Sequence, residues 1–152
     1  MEKWFQSIAL IRRDHEGKNR WLARSQRHQP EVLNFISAPR LGTESFRETI
    51  RRETAWTLNL DPKKDLLVSS MAQLNLEFVA TFPNEIHPSH IGVSFFMVQI
   101  YGKAALQQVE ADSANRWLSS REVCEGSLPK GEKLDPRLSF LLKRAKVINA
   151  WD

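Results

Sequence analysis

The segment SFRETIRRETAWTLN, Ser45 to Asn59, marks its own beginning and end. Ser45 opens a Ser-Phe-Arg-Glu sequence in which the serine oxygen accepts the amide of Glu48, while that glutamate reaches back to the serine amide. Asn59 tolerates the left-handed conformation that closes a helix, and Pro62 bars continuation. A helix of about four turns over residues 45–58 follows. The rest of the chain must supply elements that cover its apolar side.

At 100° per residue, Glu44, Glu48 and Arg52 share one side of this helix, with Arg47 and Arg51 nearby. Phe46, Ile50, Thr54 and Thr57 fall roughly opposite, on the side expected to lie against a sheet. Glu53 lands at the edge of that stripe, near Phe46, Trp56 and Thr57. A carboxylate against a packed face is costly to desolvate unless a metal, a cation or backbone amides meet it, which makes position 53 a candidate site residue. The other reading, a Glu53 turned to solvent or paired with an arginine, stays open. Glu48 is explained by the capping pattern alone.

Around this helix the pattern is strand-rich. WFQSIALIRR (4–13) and RWLARSQ (20–26) flank the turn DHEGKN and predict a hairpin. EVLNFIS (31–37) predicts a further strand that ends at Ala38-Pro39. LLVSSMAQLNLEFVATF and IGVSFFMVQIYG predict two or three strands around the loop PNEIHPSH. A second Ser-x-x-Glu start, Ser119 to Glu122, predicts a short helix ending at Gly126. Asp135-Pro136 starts a last helix, with Leu138, Leu141, Leu142, Ala145 and Ile148 at helical spacing. This order has no internal repeat and no linker, so the expected organisation is one domain over residues 1–152 with a mixed α/β architecture.

Composition narrows the function classes. With 41% hydrophobic and 26% charged residues the chain is expected to fold. The apolar run near the start, Ile8 to Ile11, is far short of a signal-peptide core or a membrane span, so the expectation is a cytoplasmic protein with no membrane partner. Cys124 has no second cysteine to pair with and no adjacent histidine to activate it. The positive excess sits in front: residues 1–64 hold 13 Lys/Arg against 8 Asp/Glu, and residues 65–152 hold 9 against 10. Such a field attracts phosphorylated ligands, but with no block of five or six like charges nucleic acid is not indicated.

From Ala38 to Leu60 the sequence resembles a degenerate Nudix box, G-x5-E-x7-R-E-U-x-E-E-x-G-U, where U is a bulky aliphatic. Glu44 takes the first glutamate position, Arg52-Glu53 the Arg-Glu pair, and Leu60 the final aliphatic, with no gap. Ala38, Thr54, Trp56-Thr57 and Asn59 depart from the pattern. NRWLSSREVCEGSL (115–128) is similar to the Trp-containing strand and short helix that close many Nudix domains. The resemblance implies a Nudix-like α/β/α sandwich with a mixed β-sheet. It also implies a box helix whose glutamates hold Mg²⁺ or Mn²⁺ against the diphosphate of a nucleoside-diphosphate-linked substrate, which metal-activated water then cleaves.

In that scheme Glu53, Arg52 and Glu44 are what remains of the catalytic set, the Glu44 and Arg52 pair bracing the loop against the helix. Trp56 cannot coordinate Mg²⁺ and Thr57 offers no charge, so three expected metal carboxylates fall to one. Losing two ligands weakens such a site by roughly 10²- to 10⁴-fold, leaving Mg²⁺ or Mn²⁺ weakly held at best. The favoured expectation is a non-hydrolytic or weakly active binding or regulatory module. Its ligand is a nucleotide or other phosphorylated small molecule, met by Arg24, Arg27, Arg40 and Arg47, with Trp56 plugging the cleft or offering a flat face to a ligand ring. A protein partner or a homodimer is also carried forward. The alternative is a divergent Mg²⁺-dependent hydrolase that combines Glu53 with Glu44 or Glu48 and an acid from outside the box, Glu77 or Glu85, with Glu53, Glu48 and Glu85 as metal ligands. A third reading discards the resemblance for an unrelated α+β interaction domain.

Overall fold

A computed structural model describes all residues, Met1 to Asp152. In chain order the elements are β1 (Glu2–His15), β2 (Lys18–Ser25), β3 (Val32–Asn34), β4 (Ser37–Ala38), α1 (Phe46–Leu58), β5 (Leu66–Val68), β6 (Leu74–Ala80), β7 (Ser89–Ile100), α2 (Lys103–Ala111), β8 (Asn115–Ser119), α3 (Ser120–Glu125), β9 (Lys133–Leu134) and α4 (Pro136–Ala145). Glu16 and Gly17 join β1 to β2 at φ 55° and 81°. Two consecutive positive φ values are what a tight hairpin needs to match the strand twist.

Only the tip of that hairpin is paired, from Arg12↔Trp21 to His15↔Lys18. The N-terminal part of β1 turns away and pairs in parallel with β7, from Glu2↔Ser89 to Ile11↔Val98. All other strand pairs except β3 with β9 are antiparallel, so the sheet is mixed.

Because side chains alternate along a strand, β1 and β7 feed two cores. Ile8, Leu10, Ile91, Val93 and Phe95 face a cluster completed by Val123 of α3 and by Leu138, Leu141 and Leu142 of α4. Ala9, Ile11, Phe96, Val98 and Ile100 face the other side, where Ile50, Ala55 and Leu58 of α1 meet Ala105 and Val109 of α2. The sheet is therefore sandwiched between α1/α2 and α3/α4, which removes the unrelated α+β reading.

Three local expectations are corrected. EVLNFIS is not one strand: β3 stops at Asn34, whose side chain accepts the amide of Phe35, and pairing resumes at Ser37. Ile148 is buried but lies beyond α4, which ends at Lys146 in the left-handed conformation. The stretch after Tyr101, left without structure by the sequence reading, forms α2 with no side-chain cap at Gly102.

Candidate functional site

The helix α1 has both expected ends. Ser45 accepts from the Glu48 amide at 3.1 Å, Glu48 accepts from the Ser45 amide at 3.3 Å, and Asn59 closes the helix at φ 55°, ψ 49°. Its buried residues are Thr49, Ile50, Thr54, Ala55 and Leu58, so the packed stripe is turned toward Thr49 and Ala55, and Phe46 and Thr57 sit at its margin. Side-chain bonds tie the helix to the sheet, to the loop that follows it and to α2. Ser7 Oγ donates to the Phe46 carbonyl at 3.0 Å, and Arg47 donates to the carbonyls of Val68 and Ser69 at 2.9 Å each. Arg51 donates to the Pro62 carbonyl at 3.0 Å, and Gln108 of α2 donates to the Asn59 carbonyl.

Glu44, Arg52 and Glu53 form a continuous chain of hydrogen bonds. Arg52 Nε lies 2.9 Å from Glu44 Oε2, its Nη2 3.3 Å from Glu44 Oε1, and its Nη1 3.3 Å from Glu53 Oε2. Glu44 also accepts from Thr49 Oγ1 at 3.0 Å and from the Leu41 amide at 3.2 Å. The Arg52 hydrogen bonds, with those of Thr49 and Leu41, hold the Glu44 carboxyl below its ordinary range, and the same contact holds the Arg52 guanidinium above its own. The pair thus pins the loop before α1 to the helix. Glu53 is accounted for by its arginine.

Trp56 projects outward and is 81% exposed. It lines a groove of about 500 Å³ on the outer side of α1, with Glu44, Glu48, Arg51, Arg52 and Lys63 among its walls. On the other side of the sheet a smaller cleft of about 220 Å³ opens between β1, the β3–β4 segment and α4, with Gln6, Asn34, Ser37, Asp135 and Arg137 as its polar walls.

The remaining candidates are scattered. Arg24 is spent on Asp112 at 3.0 Å and Asn115 at 2.6 Å, and Arg47 on the two carbonyls above, so neither is a free phosphate ligand. Arg40 lies over the Phe46 ring at 5.2 Å, and Arg27 is exposed in the turn after β2. Glu85 accepts from Arg137 of α4 at 2.6 and 3.0 Å, and Glu77 pairs with His90 at 3.1 Å. No three Asp, Glu, His or Cys side chains converge anywhere, so the expected trio Glu53, Glu48 and Glu85 is not brought together. The α4 arginine that engages Glu85 was missed by the sequence reading, since no local pattern links positions 52 residues apart. Cys124 is set against the Ile148 carbonyl at 3.4 Å, and burial with the nearby Glu125 pushes its thiol pKa up, away from nucleophilic use.

No family model and no curated protein matches the chain by sequence. Solved structures do match it in shape. C. elegans Ap4A hydrolase superposes with a TM-score of 0.62 over 95% of this chain and 92% of that one, at 11% identity. The chain has the Nudix fold. A mutT/nudix family protein from Listeria innocua gives 0.60 at 14% identity, covering 95% and 92%. Shewanella oneidensis NrtR, complexed with a 27mer DNA, gives 0.58 at 11% identity, this chain spanning only 60% of its length. Identities this low carry the Nudix fold and nothing finer.

A Nudix metal can be tested against the donors present. Mg²⁺ is octahedral and is held by one or two carboxylates together with waters and substrate phosphates. On and beside α1 the carboxylates are Glu44, Glu48 and Glu53, and each already accepts a hydrogen bond from an arginine or a cap amide. Trp56 and Thr57 follow where further acids would have to stand. These donors supply no cluster of three acids for the ion.

Proposed function

We propose that the chain is a Nudix-fold binding module that takes a phosphorylated small molecule or nucleotide and lacks ordinary metal-dependent diphosphate hydrolysis. One observation carries the reading: Glu53, the one that remains of the three metal carboxylates the box would have, is engaged by Arg52, and an exposed indole stands one turn further along the helix. The candidate recognition surface is the cleft between β1 and α4. Its lining of amides, a hydroxyl, the Arg137 guanidinium and the Asp135 carboxylate, with Trp4, Ile8, Leu138 and Leu141 as apolar wall, suits a small ligand with a polar head. Arg137 sits there with its guanidinium 4.5 Å from the Phe82 ring and its Nε and Nη2 held by Glu85, which leaves Nη1 as the positioned donor for a ligand oxygen.

The test is a thermal-shift and calorimetric series of nucleoside diphosphates, nucleoside monophosphates and sugar phosphates, with and without Mg²⁺ or Mn²⁺, alongside phosphate release. The expected result is a ligand that raises the melting temperature equally with or without divalent ion. Arg137→Ala weakens that ligand and Glu53→Gln leaves it unchanged. Mg²⁺-dependent phosphate release that disappears in Glu53→Gln would replace this reading with the divergent hydrolase.

A further inference from the structure

The outer strip of α1 takes no part in the β1–α4 cleft, yet it holds the most conspicuous exposed aromatic of the helix. No ring and no cation of its own chain lies against Trp56. One turn earlier, Arg52 gives Nε, Nη1 and Nη2 to Glu44 and Glu53. These bonds lie along the edges of the planar guanidinium, so its flat face is what remains available at the surface. A guanidinium whose edges are committed is a good stacking partner for indole, because little hydration is left to displace.

Charge is distributed along the same strip with a sense of direction. Glu48 stands at its N-terminal end and keeps one carboxylate oxygen free of the cap, while Lys63 stands at the other end with no ion-pair partner. A partner of one sign matches only half of this pattern. An inverted copy matches both ends of it, Arg51 keeping its bond to the Pro62 carbonyl.

We propose that this strip is the contact face of a homodimer, in which two α1 helices meet antiparallel about a two-fold axis with Trp56 of each laid on Arg52 of the other. An axis passing at the level of Thr54 sets Trp56, two residues after it, opposite Arg52, two residues before it, and does so twice. The same operation sets Glu48, six residues before, at the C-terminal end of the other copy's α1, the end at which Lys63 lines the groove. Arg52 and Trp56 are about 6 Å apart along the helix axis, so both contacts form in one register.

A strip one helix wide falls below the roughly 800 Å² per partner of a standard interface, so the dimer is weak, with a Kd on the order of 10 µM. It also weakens as salt rises, because the Glu48 and Lys63 contacts lie at the rim.

Sedimentation equilibrium of the full chain over about 1 µM to 1 mM reads the association directly. The expected result is a monomer–dimer equilibrium. Trp56→Ala removes the contact on both sides of the axis and lowers it by about 10³-fold, two hot spots of about 30-fold each, while the melting temperature of the dilute monomer stays in place because the ring is 81% exposed there. Lys63→Glu and Glu48→Lys each place two like-charged pairs across the axis and abolish the dimer. An equimolar mixture of the two variants restores opposite charges at both positions and recovers a heterodimer. A wild-type chain that stays monomeric throughout overturns the proposal, and so does a dimer indifferent to Trp56→Ala. Folded charge variants that fail to rescue one another overturn it as well. If Glu48→Lys loses its fold with its cap, Trp56→Ala and Lys63→Glu decide the question.

Discussion

Thr54→Val should make this protein more stable. Thr54 is fully buried on the inner side of α1, and its hydroxyl has no hydrogen-bond partner. In the unfolded chain that hydroxyl is hydrated, so folding strips it of water and returns nothing. A buried polar group left this way costs about 1–3 kcal/mol. Valine keeps the branched shape, puts a methyl where the hydroxyl stood, and has nearly the same helix propensity. Taking the lower half of that range gives a gain of about 1–2 kcal/mol, which in a domain of this size is a rise of about 2–8 °C in melting temperature. Calorimetry and urea unfolding of the two proteins measure it, and an unchanged m-value shows that the native state alone has moved. A lower melting temperature for Thr54→Val would refute the reasoning, because it would mean that the hydroxyl is satisfied in the folded protein.

Three further outcomes are expected. Glu44 has a carboxyl pKa held below the ordinary value of about 4.3, so its ionised form contributes stability above that pH, lost as pH falls through the depressed folded value. Glu44→Gln should therefore flatten the acid limb of a urea-midpoint profile below about pH 5. Gln108→Ala removes the donor to the last carbonyls of α1 and should destabilise by about 0.5–1.5 kcal/mol, with faster hydrogen exchange confined to the C-terminal turn of α1 and to α2. A Cβ at Gly92 would meet the Phe5 ring at 3.0–3.2 Å, so Gly92→Ala should cost about 1–3 kcal/mol by overpacking, and Phe5→Leu in the same chain should recover part of it.

Where structure rests on bonds between near neighbours, the sequence could be read closely. The helix α1 needed only Ser45, Glu48, Asn59 and Pro62 to fix its ends, and α3 and α4 were equally marked by Ser119 with Glu122 and by Asp135 with Pro136. The helix α2 has no such mark. It starts at Gly102 with no capping side chain and buries only Ala105 and Val109, so packing against α1 and β7 decides what its own sequence leaves open. The break between β3 and β4 is of the same kind, because the register that resumes at Ser37 is set by Ile8 and Ser7 of β1. At the candidate site the Glu44 and Arg52 brace was what the resemblance to the Nudix box implied, and the structure has it. The employment of Arg24 by Asp112, of Arg47 by the carbonyls of β5 and of Glu85 by Arg137 was not legible. Those partners come from distant segments, and a free arginine and a bonded one look alike in a string of letters.

The parallel pairing of β1 with β7 has a consequence for how the molecule is made. Residues Ile8 to Ile11, the most buried part of the first strand, are completed only by residues 91–98. At synthesis rates of about 5–20 residues per second, the leading strand waits several seconds in the growing chain with its two apolar faces bare. The hairpin tip closes early and leaves that stretch open. Slow, non-local closure of this sort makes the nascent N-terminus the point at which a half-made chain is most easily captured, by a chaperone or by another copy of itself.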